Sequence, residues 1–388
     1  MRARGFTLIE LMVASAIGLI ILTGATALAT AMVRSVRSIN EQMLLSTRSQ
    51  MAQAVLLPTL SSAGFGWNVT SVIASPFTST TGSFGAGHCV SSTNLCTGNT
   101  RYPVQITDST TAADALSILT PVDGSIESVQ IRALNGNAPI PTNCTSSSMN
   151  STVTFDVQGT TTRAWSVGDL VLISHSGHVT VSRVGSAFST NTTMPLVTRQ
   201  LTLDMGTNSN LQYDDGGSAV ACSADGSLRG AKVFRIAEVR LRTSGGNLEM
   251  AVNDTASEVT TPSWLPVVQG VDDLQFRIVI ARIPRTSDTT GTASQCTCNG
   301  SAFFDGASAF GTSCTCTATD RLNEDPAAAP VYRVLGFEVG VLMSGDQRQA
   351  TGNVSYSGLF NRSGVVATDT RMRQKSVIFV GMPNAYAL

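Results

Sequence analysis

Charge is scarce in this sequence, and the scarcity excludes a good deal. Charged residues make up 13% of the 388, and the formal net charge is −1. A protein that grips a phosphate backbone needs clustered Lys and Arg, so no nucleic-acid partner is expected. Histidine is scarcer still, with three in the chain. Two of them form His175-Ser-Gly-His178; with no acidic cluster beside them, they read as polar residues on a turn and not as half of a metal site. There is no G-x-S-x-G elbow, Walker loop, dinucleotide fingerprint or H-E-x-x-H, the local signatures of common catalytic chemistries. Asp214-Asp215-Gly216-Gly217 lacks the D-x-D-x-D-G series and distal Glu of a calcium loop and reads as a turn. Neither an enzyme nor a cofactor is expected.

Apolar residues are plentiful, at 42%, enough for a sizeable core and, at this length, one to three domains. Long stretches are rich in Ser, Thr, Gly and Asn, and there are eight cysteines. That combination suits an exported β protein in an oxidising compartment. The N-terminus adds independent support. Arg2 and Arg4 precede a run from Leu11 to Val33 without a charged residue. As a helix this run would rise about 34 Å, enough to cross a bilayer core. Basic residues before the span place the N-terminus in the cytoplasm and the bulk of the chain outside, although Arg34 and Arg37 on the far side weaken the contrast. The run is too long for an ordinary signal peptide. It also carries Glu10 near its start, and a carboxylate costs about 2.5–3.5 kcal/mol in the hydrocarbon unless it has a partner.

Gly5-Phe6-Thr7-Leu8-Ile9-Glu10 is a close match to the processing motif of the type IV prepilin and pseudopilin superfamily, which the chain resembles. The resemblance implies a short leader, residues 1–5, removed by a prepilin peptidase that cuts between Gly5 and Phe6 and methylates the Phe6 amine. It also implies that Glu10 pairs with the N-terminal amine of a neighbouring subunit. The span lacks the proline of many major pilins, so Gly18 and Gly24 are its only weak helix points.

Helical character continues beyond the span. Val36, Ile39, Met43, Met51 and Val55 keep roughly to one face, with Thr47 at the missing step and Arg34, Arg37, Glu41 and Arg48 interleaved. Pro58 should kink or end the helix, which gives a first segment of residues 6–62, membrane-spanning to about 33. Residues 63–388 read as strands and loops. Asp169–Ile173 and Val179–Val184 flank a short turn, a hairpin signal. Val233, Ala237, Val239 and Leu241 line up at period two on one side of Lys232–Arg242, interrupted by Arg235. So do Leu274, Phe276, Ile278 and Ile280, then Leu335, Phe337, Val339, Val341 and Met343, with Ser376–Val380 as a last strand. Such alternation means an antiparallel sheet packed on one side, and the helix stripe of residues 36–57 is its natural cover.

The order of these segments is similar to W-type minor pilins (PilW). The phrases that carry the similarity are Ala63-Gly64-Phe65, Gly168–Ile173, Val268–Gln275, Arg371-Met372-Arg373 and the late Pro383-Asn384. Two stretches read as insertions on that scaffold, 76–112 and 284–330, because loops this long are usually functional. The cysteines are Cys89, Cys96, Cys144, Cys222, Cys296, Cys298, Cys314 and Cys316. Zinc usually takes its thiolates at C-x2–4-C spacing, and the two C-x-C pairs are tight for one tetrahedral ion. Disulfides suit the compartment better, with the last four paired among themselves, and spacing alone leaves the connectivity open.

The sequence thus gives an α+β fold: a long N-terminal helix packed on an antiparallel β-sheet domain with cysteine-containing insertions. The resemblance implies a minor pilin that helps initiate a type IV pilus and sits at or near its tip, in the inner membrane before assembly and extracellular afterwards. Its partners would be other minor pilins, the major pilin, the prepilin peptidase, membrane lipid and a tip adhesin. A minor pseudopilin of a type II secretion system, or a tip adhesive module, is the alternative.

Overall fold

The computed structural model describes residues 7–63, 73–74, 87–89, 93, 95, 100–101, 104–107, 109, 111–122, 128–134, 152–159, 164–175, 178–191, 198–204, 231–283, 295–299, 314–316, 331–348, 354–356, 358–360, 362, 365–367 and 371–381. One helix, α1 (Leu8–Ser61), precedes everything else. It begins at a Thr7 cap and is built largely from Leu, Ala, Ile and Met, mostly good helix formers. It runs unbroken through Gly24 and past Pro58. Pro58 lies in the last turn, so its missing N–H removes a hydrogen bond without splitting the helix.

The strands follow as β1 (Ile73–Ala74), β2 (Gly87–Cys89), β3 (Thr100–Arg101), β4 (Val104–Thr107), β5 (Ala115–Pro121), β6 (Ser128–Leu134), β7 (Thr152–Gln158), β8 (Leu170–His175), β9 (His178–Asn191), β10 (Thr198–Asp204), β11 (Lys232–Ser244) and β12 (Asn247–Asn253). After a short helix, α2 (Ala256–Thr260), come β13 (Leu265–Gln269), β14 (Val271–Ile283), β15 (Gln295–Asn299), β16 (Cys314–Cys316), β17 (Val331–Arg348), β18 (Val354–Tyr356), β19 (Val365–Ala367) and β20 (Arg371–Gly381).

Two sheets organise most of these strands, and β18 and β19 pair as a separate two-stranded sheet. In the first, β17 is flanked by β14 on one side and by β20 and β1 on the other, and β15 and β16 extend the sheet beyond β14. The second is larger and centres on β11, which pairs with β5, β6, β8 and β12. Pairing is antiparallel throughout except between β2 and β9. The expected hairpin is β8–β9, closing with His175 opposite His178. Of the stretch read as a first insertion, residues 87–89, 100–101 and 104–107 are strands of the larger sheet. Within 284–330, β15 and β16 belong to the first sheet.

The alternating residues of β14 and β17 meet as read from the sequence. Phe276 lies opposite Val339 and Leu274 opposite Val341. With Phe337, Met343 and Val380 they form one apolar face, continued by Leu241, Ile118 and Val268 of the second sheet. The α1 side chains that cover it are Leu45, Ala52, Leu56 and Leu60. Each buried Leu contributes about 1.5–3 kcal/mol.

This corrects the helix face expected from the sequence. Val36, Ile39, Met43 and Met51 are 49–65% exposed. The covered line is Glu41, Leu45, Arg48, Ser49, Ala52, Leu56 and Leu60. Apart from the adjacent Arg48 and Ser49 it steps by three or four residues and so is equally helical in period, but it includes two charged residues.

A second correction concerns β11, which is not polar on one side. From Val233 to Val239 every residue is buried. Val233 faces a cluster with Ile131, Phe155 and Ile173, while Phe234 and Ile236 face another with Leu119, Leu170 and Val259. Arg235, the interruption in the pattern, is buried because Asp169 meets it at 3.0 Å and Asp254 at 3.7 Å. Burial pushes the Asp254 carboxyl above the usual range, and the neighbouring Glu258 adds to the shift.

Candidate assembly site along the first helix

The first half of α1 is in contact with nothing else among the described residues. Every residue from Thr7 to Arg37 is exposed, including Leu8, Leu11, Ile20 and Leu22. The helix is long and apolar enough to cross a membrane. Its hydroxyls are turned back on its own backbone. Ser15 donates to the Met12 carbonyl (2.9 Å), Thr23 to Ile20 (2.9 Å), Thr26 to Leu22 (3.0 Å) and Thr30 to Ala27 (2.8 Å). No hydroxyl of the Leu11–Val33 run thus needs water, as an apolar medium requires.

Glu10 has a partner within its own helix start. Thr7 donates to its carboxylate from the backbone N–H (3.0 Å) and from the hydroxyl (3.1 Å), and the Glu10 N–H donates back to the Thr7 hydroxyl (3.3 Å). This is a capping box, which satisfies two of the free donors at a helix start. The pattern Thr-x-x-Glu ahead of an apolar run signals it in the sequence, and Thr7 was the residue missed. Gly5 and Phe6 lie outside the described residues.

The second half of α1 is fastened by more than apolar contact. Arg48 donates to the Ser344 carbonyl (2.6 Å) and to the Asp346 carboxylate (2.7 Å). Glu41 accepts from the Asp346 backbone N–H (3.1 Å). Ser344 in turn bonds Asp272 (2.9 Å), which also accepts from Arg373 (2.8 Å). Two glycines make room for this clamp. Gly270 has φ +72°, and a Cβ there would stand 2.5 Å from the Arg48 guanidinium; at Gly345 a Cβ would collide with the Glu41 carboxylate. Only glycine takes both the positive φ and the close approach at position 270. Beside the clamp, Asp273 pairs with Arg362. Burial still outweighs that pairing and holds its carboxyl above the usual range.

With the inner face so committed, α1 presents Val36, Ile39, Met43 and Met51 outward, beyond the candidate span. Scattered exposed apolar residues are ordinary, but these recur along one helix face, with Thr47 at the step between Met43 and Met51, as an interaction surface does.

The cysteines are only partly placed. Cys89 lies in β2, with Val181 of β9 as its register partner. Cys296 and Cys298 of β15 stand opposite Cys316 and Cys314 of β16. Cys96, Cys144, Cys222 and the Asp214–Gly217 turn lie outside the described residues.

Residues 1–26 match the family described as the prokaryotic N-terminal methylation motif. Among solved structures, a type IV-like pilin from Thermus thermophilus is matched at 13% identity over 56% of this chain and 85% of that one, with a TM-score of 0.20. No curated protein gives a significant match. The motif covers the residues that the capping box organises and opens the apolar helix that follows. The chain thus opens on a prepilin-like N-terminal methylation motif.

Proposed function

We propose that this protein is a minor pilin, of the W type, that helps initiate a type IV pilus and sits at or near its tip. In this reading residues 1–5 are the leader, Phe6 is the methylated N-terminus, and residues 63–388 lie outside the cytoplasm. The partners are other minor pilins, the major pilin, the prepilin peptidase and membrane lipid. The observation that carries the reading is the outward apolar line of α1 on the very half that its own domain holds in place. A helix fixed by one face and apolar on the other is built to pack against further helices. The bulk of two sheets fits an end position better than repetition along a narrow filament.

Glu10 tests this reading, and the capping box decides how. Gln also serves at the third position of a capping box, so Glu10→Gln keeps the cap and removes the charge, whereas Glu10→Leu removes both. Co-purification with the other pilus proteins should drop for both variants, with membrane fraction and protease resistance of the domain unchanged. Normal assembly of Glu10→Gln would mean that the charge is not an assembly contact. N-terminal mass spectrometry should find a methylated Phe6, and an intact Met1 would sink the prepilin reading.

A further inference from the structure

The two C-x-C pairs lie at the outermost edge of the first sheet. β15 pairs with β14, and β16 pairs with β15 in a three-residue ladder: Cys296↔Cys316, Thr297↔Thr315, Cys298↔Cys314. Opposite residues in an antiparallel pair occupy the same face, and so do residues two apart on one strand. All four cysteines therefore share one sheet face. It is the face of Ile278 and Ile280, their neighbours across β14. Ile278 is opposite Phe337, a member of the apolar cluster under α1.

Spacing within the ladder selects the partners. Opposite Cα atoms in an antiparallel pair are about 4.5 or 5.5 Å apart, inside the range of about 4.4–6.8 Å that a disulfide spans. Cys296 and Cys298 sit two residues apart on an extended strand, about 6.8 Å, with their Cβ atoms held parallel. A disulfide needs those Cβ atoms at about 3.8 Å. The diagonal pairs Cys296/Cys314 and Cys298/Cys316 are about 7–8 Å apart, at or beyond the limit of about 7 Å. Opposite pairs alternate between two classes along such a ladder, so two rungs separated by one residue belong to the same class. What suits one suits the other.

We propose that Cys296–Cys316 and Cys298–Cys314 are two parallel disulfide rungs that lock β16 to β15 and close residues 299–313 as a covalent loop at the sheet edge. The inference rests on the extracytoplasmic reading, because thiols persist as disulfides only in an oxidising compartment. Each rung forms as one thiolate attacks the disulfide of a thiol oxidant and the second thiolate displaces it. Two protein thiols lose two electrons and two protons, and the oxidant disulfide is reduced to two thiols. The staple matters because a three-residue edge strand has little ladder of its own to hold it.

The test uses the full-length protein, solubilised from membranes, with free thiols alkylated at lysis. Cleavage after Arg285, Phe304, Phe310 and Arg321 puts Cys296 and Cys298 on one peptide and Cys314 and Cys316 on another. Without reductant the two peptides should remain linked in essentially all molecules, and reductant should release them. Separate peptides, each bridged within its own C-x-C, would overturn the proposal. Paired Ser variants then resolve the register on denatured protein. C296S/C316S should leave the remaining two cysteines bonded to each other, whereas C296S/C314S should leave Cys298 and Cys316 as free thiols. The reverse pattern would overturn it. So would one zinc per chain held with four thiols that alkylate only after chelation. If all four are alkylated at lysis, a fresh preparation solubilised without alkylating agent is oxidised with glutathione disulfide. In-register linkage then supports the pairing and removes the compartment reading instead.

Discussion

The two halves of α1 are one continuous helix in two different settings. The first, Thr7 to Arg37, is exposed throughout and meets its polar needs internally, through the Thr7–Glu10 box and back-bonded hydroxyls. The second gives up one face to the sheets, through four apolar side chains and the Glu41–Arg48 clamp. The difference teaches where each half gets its stability. A short isolated helix is marginal in water, and most helices in proteins are held by packing. The second half has that packing in its own domain, while the first meets none among the described residues.

The sharpest way to break the comparison is to thin the packed face. Leu56 is fully buried, whereas Leu19 is 66% exposed. Leu56→Ala should destabilise the domain by about 2–5 kcal/mol, lowering its urea midpoint in detergent-solubilised protein. Leu19→Ala should leave that midpoint unmoved. Equal effects would mean that the two halves do not differ as described.

The clamp comes next. Arg48→Met keeps much of the stem but leaves the Ser344 carbonyl without its donor, at a cost of about 1–3 kcal/mol. Asp346→Asn should cost less, because that side chain is 64% exposed and exposed pairs contribute little. If Asp346→Asn proved the more damaging, the ion pair and not the buried carbonyl would be the working part of the clamp.

Acid gives a smaller effect, confined to the packed region. Asp273 titrates above the ordinary carboxylate range in the folded protein, chiefly because it is buried. Between its unfolded and folded values, the folded state binds more protons than the unfolded one. Stability contributed at this position therefore grows as pH falls through the folded value, and is fully present below the unfolded value, about 3.8. Compared with Asp273→Asn, the wild type should gain unfolding free energy as pH drops from 7 toward 4. A flat or opposite difference would mean that Arg362, and not burial, controls this carboxyl.

These residues also mark how far the sequence could be read. The strands announced themselves where one face is apolar, as in Leu274, Phe276, Phe337 and Val339. They were misread at β11, where both faces are covered and Arg235 is accommodated by Asp169. The helix was legible in extent but not in orientation. α1 has two lines at helical spacing, one apolar except for Thr47 and one carrying Glu41 and Arg48, and period alone favours the first. What reverses the choice is long-range: a carbonyl at Ser344 and two glycines, at 270 and 345, positioned by strands far along the chain. The Thr7 cap was legible in Thr-x-x-Glu. The facing of Cys296 with Cys316 was not, because C-x-C spacing on one strand carries no information about the register of its partner.

The outward line of α1 should give the smallest effect on the domain and a large one on assembly, and that contrast is what separates the two faces. Ile39 and Met43 are 49% and 65% exposed, and neither is within the apolar run that could cross a membrane. Replacing both with Ser removes apolar surface that the domain does not cover, so the urea midpoint should stay within the equivalent of about 0.5 kcal/mol, as for most surface changes. Serine lowers helix propensity slightly, but Leu45 and Arg48 on the opposite face hold this stretch in place. The membrane fraction should also be unchanged, since residues 11–33 are untouched. In the proposed role, co-purification with other pilin-like subunits should fall, because the altered side chains are apolar surface that the domain leaves uncovered. A change off that line on the same helix, Gln42→Ser, controls for helix propensity and should not reduce co-purification. If the Ile39/Met43 variant assembles as well as that control, the outward line is not a subunit contact, and the proposed role would lose the observation that carries it.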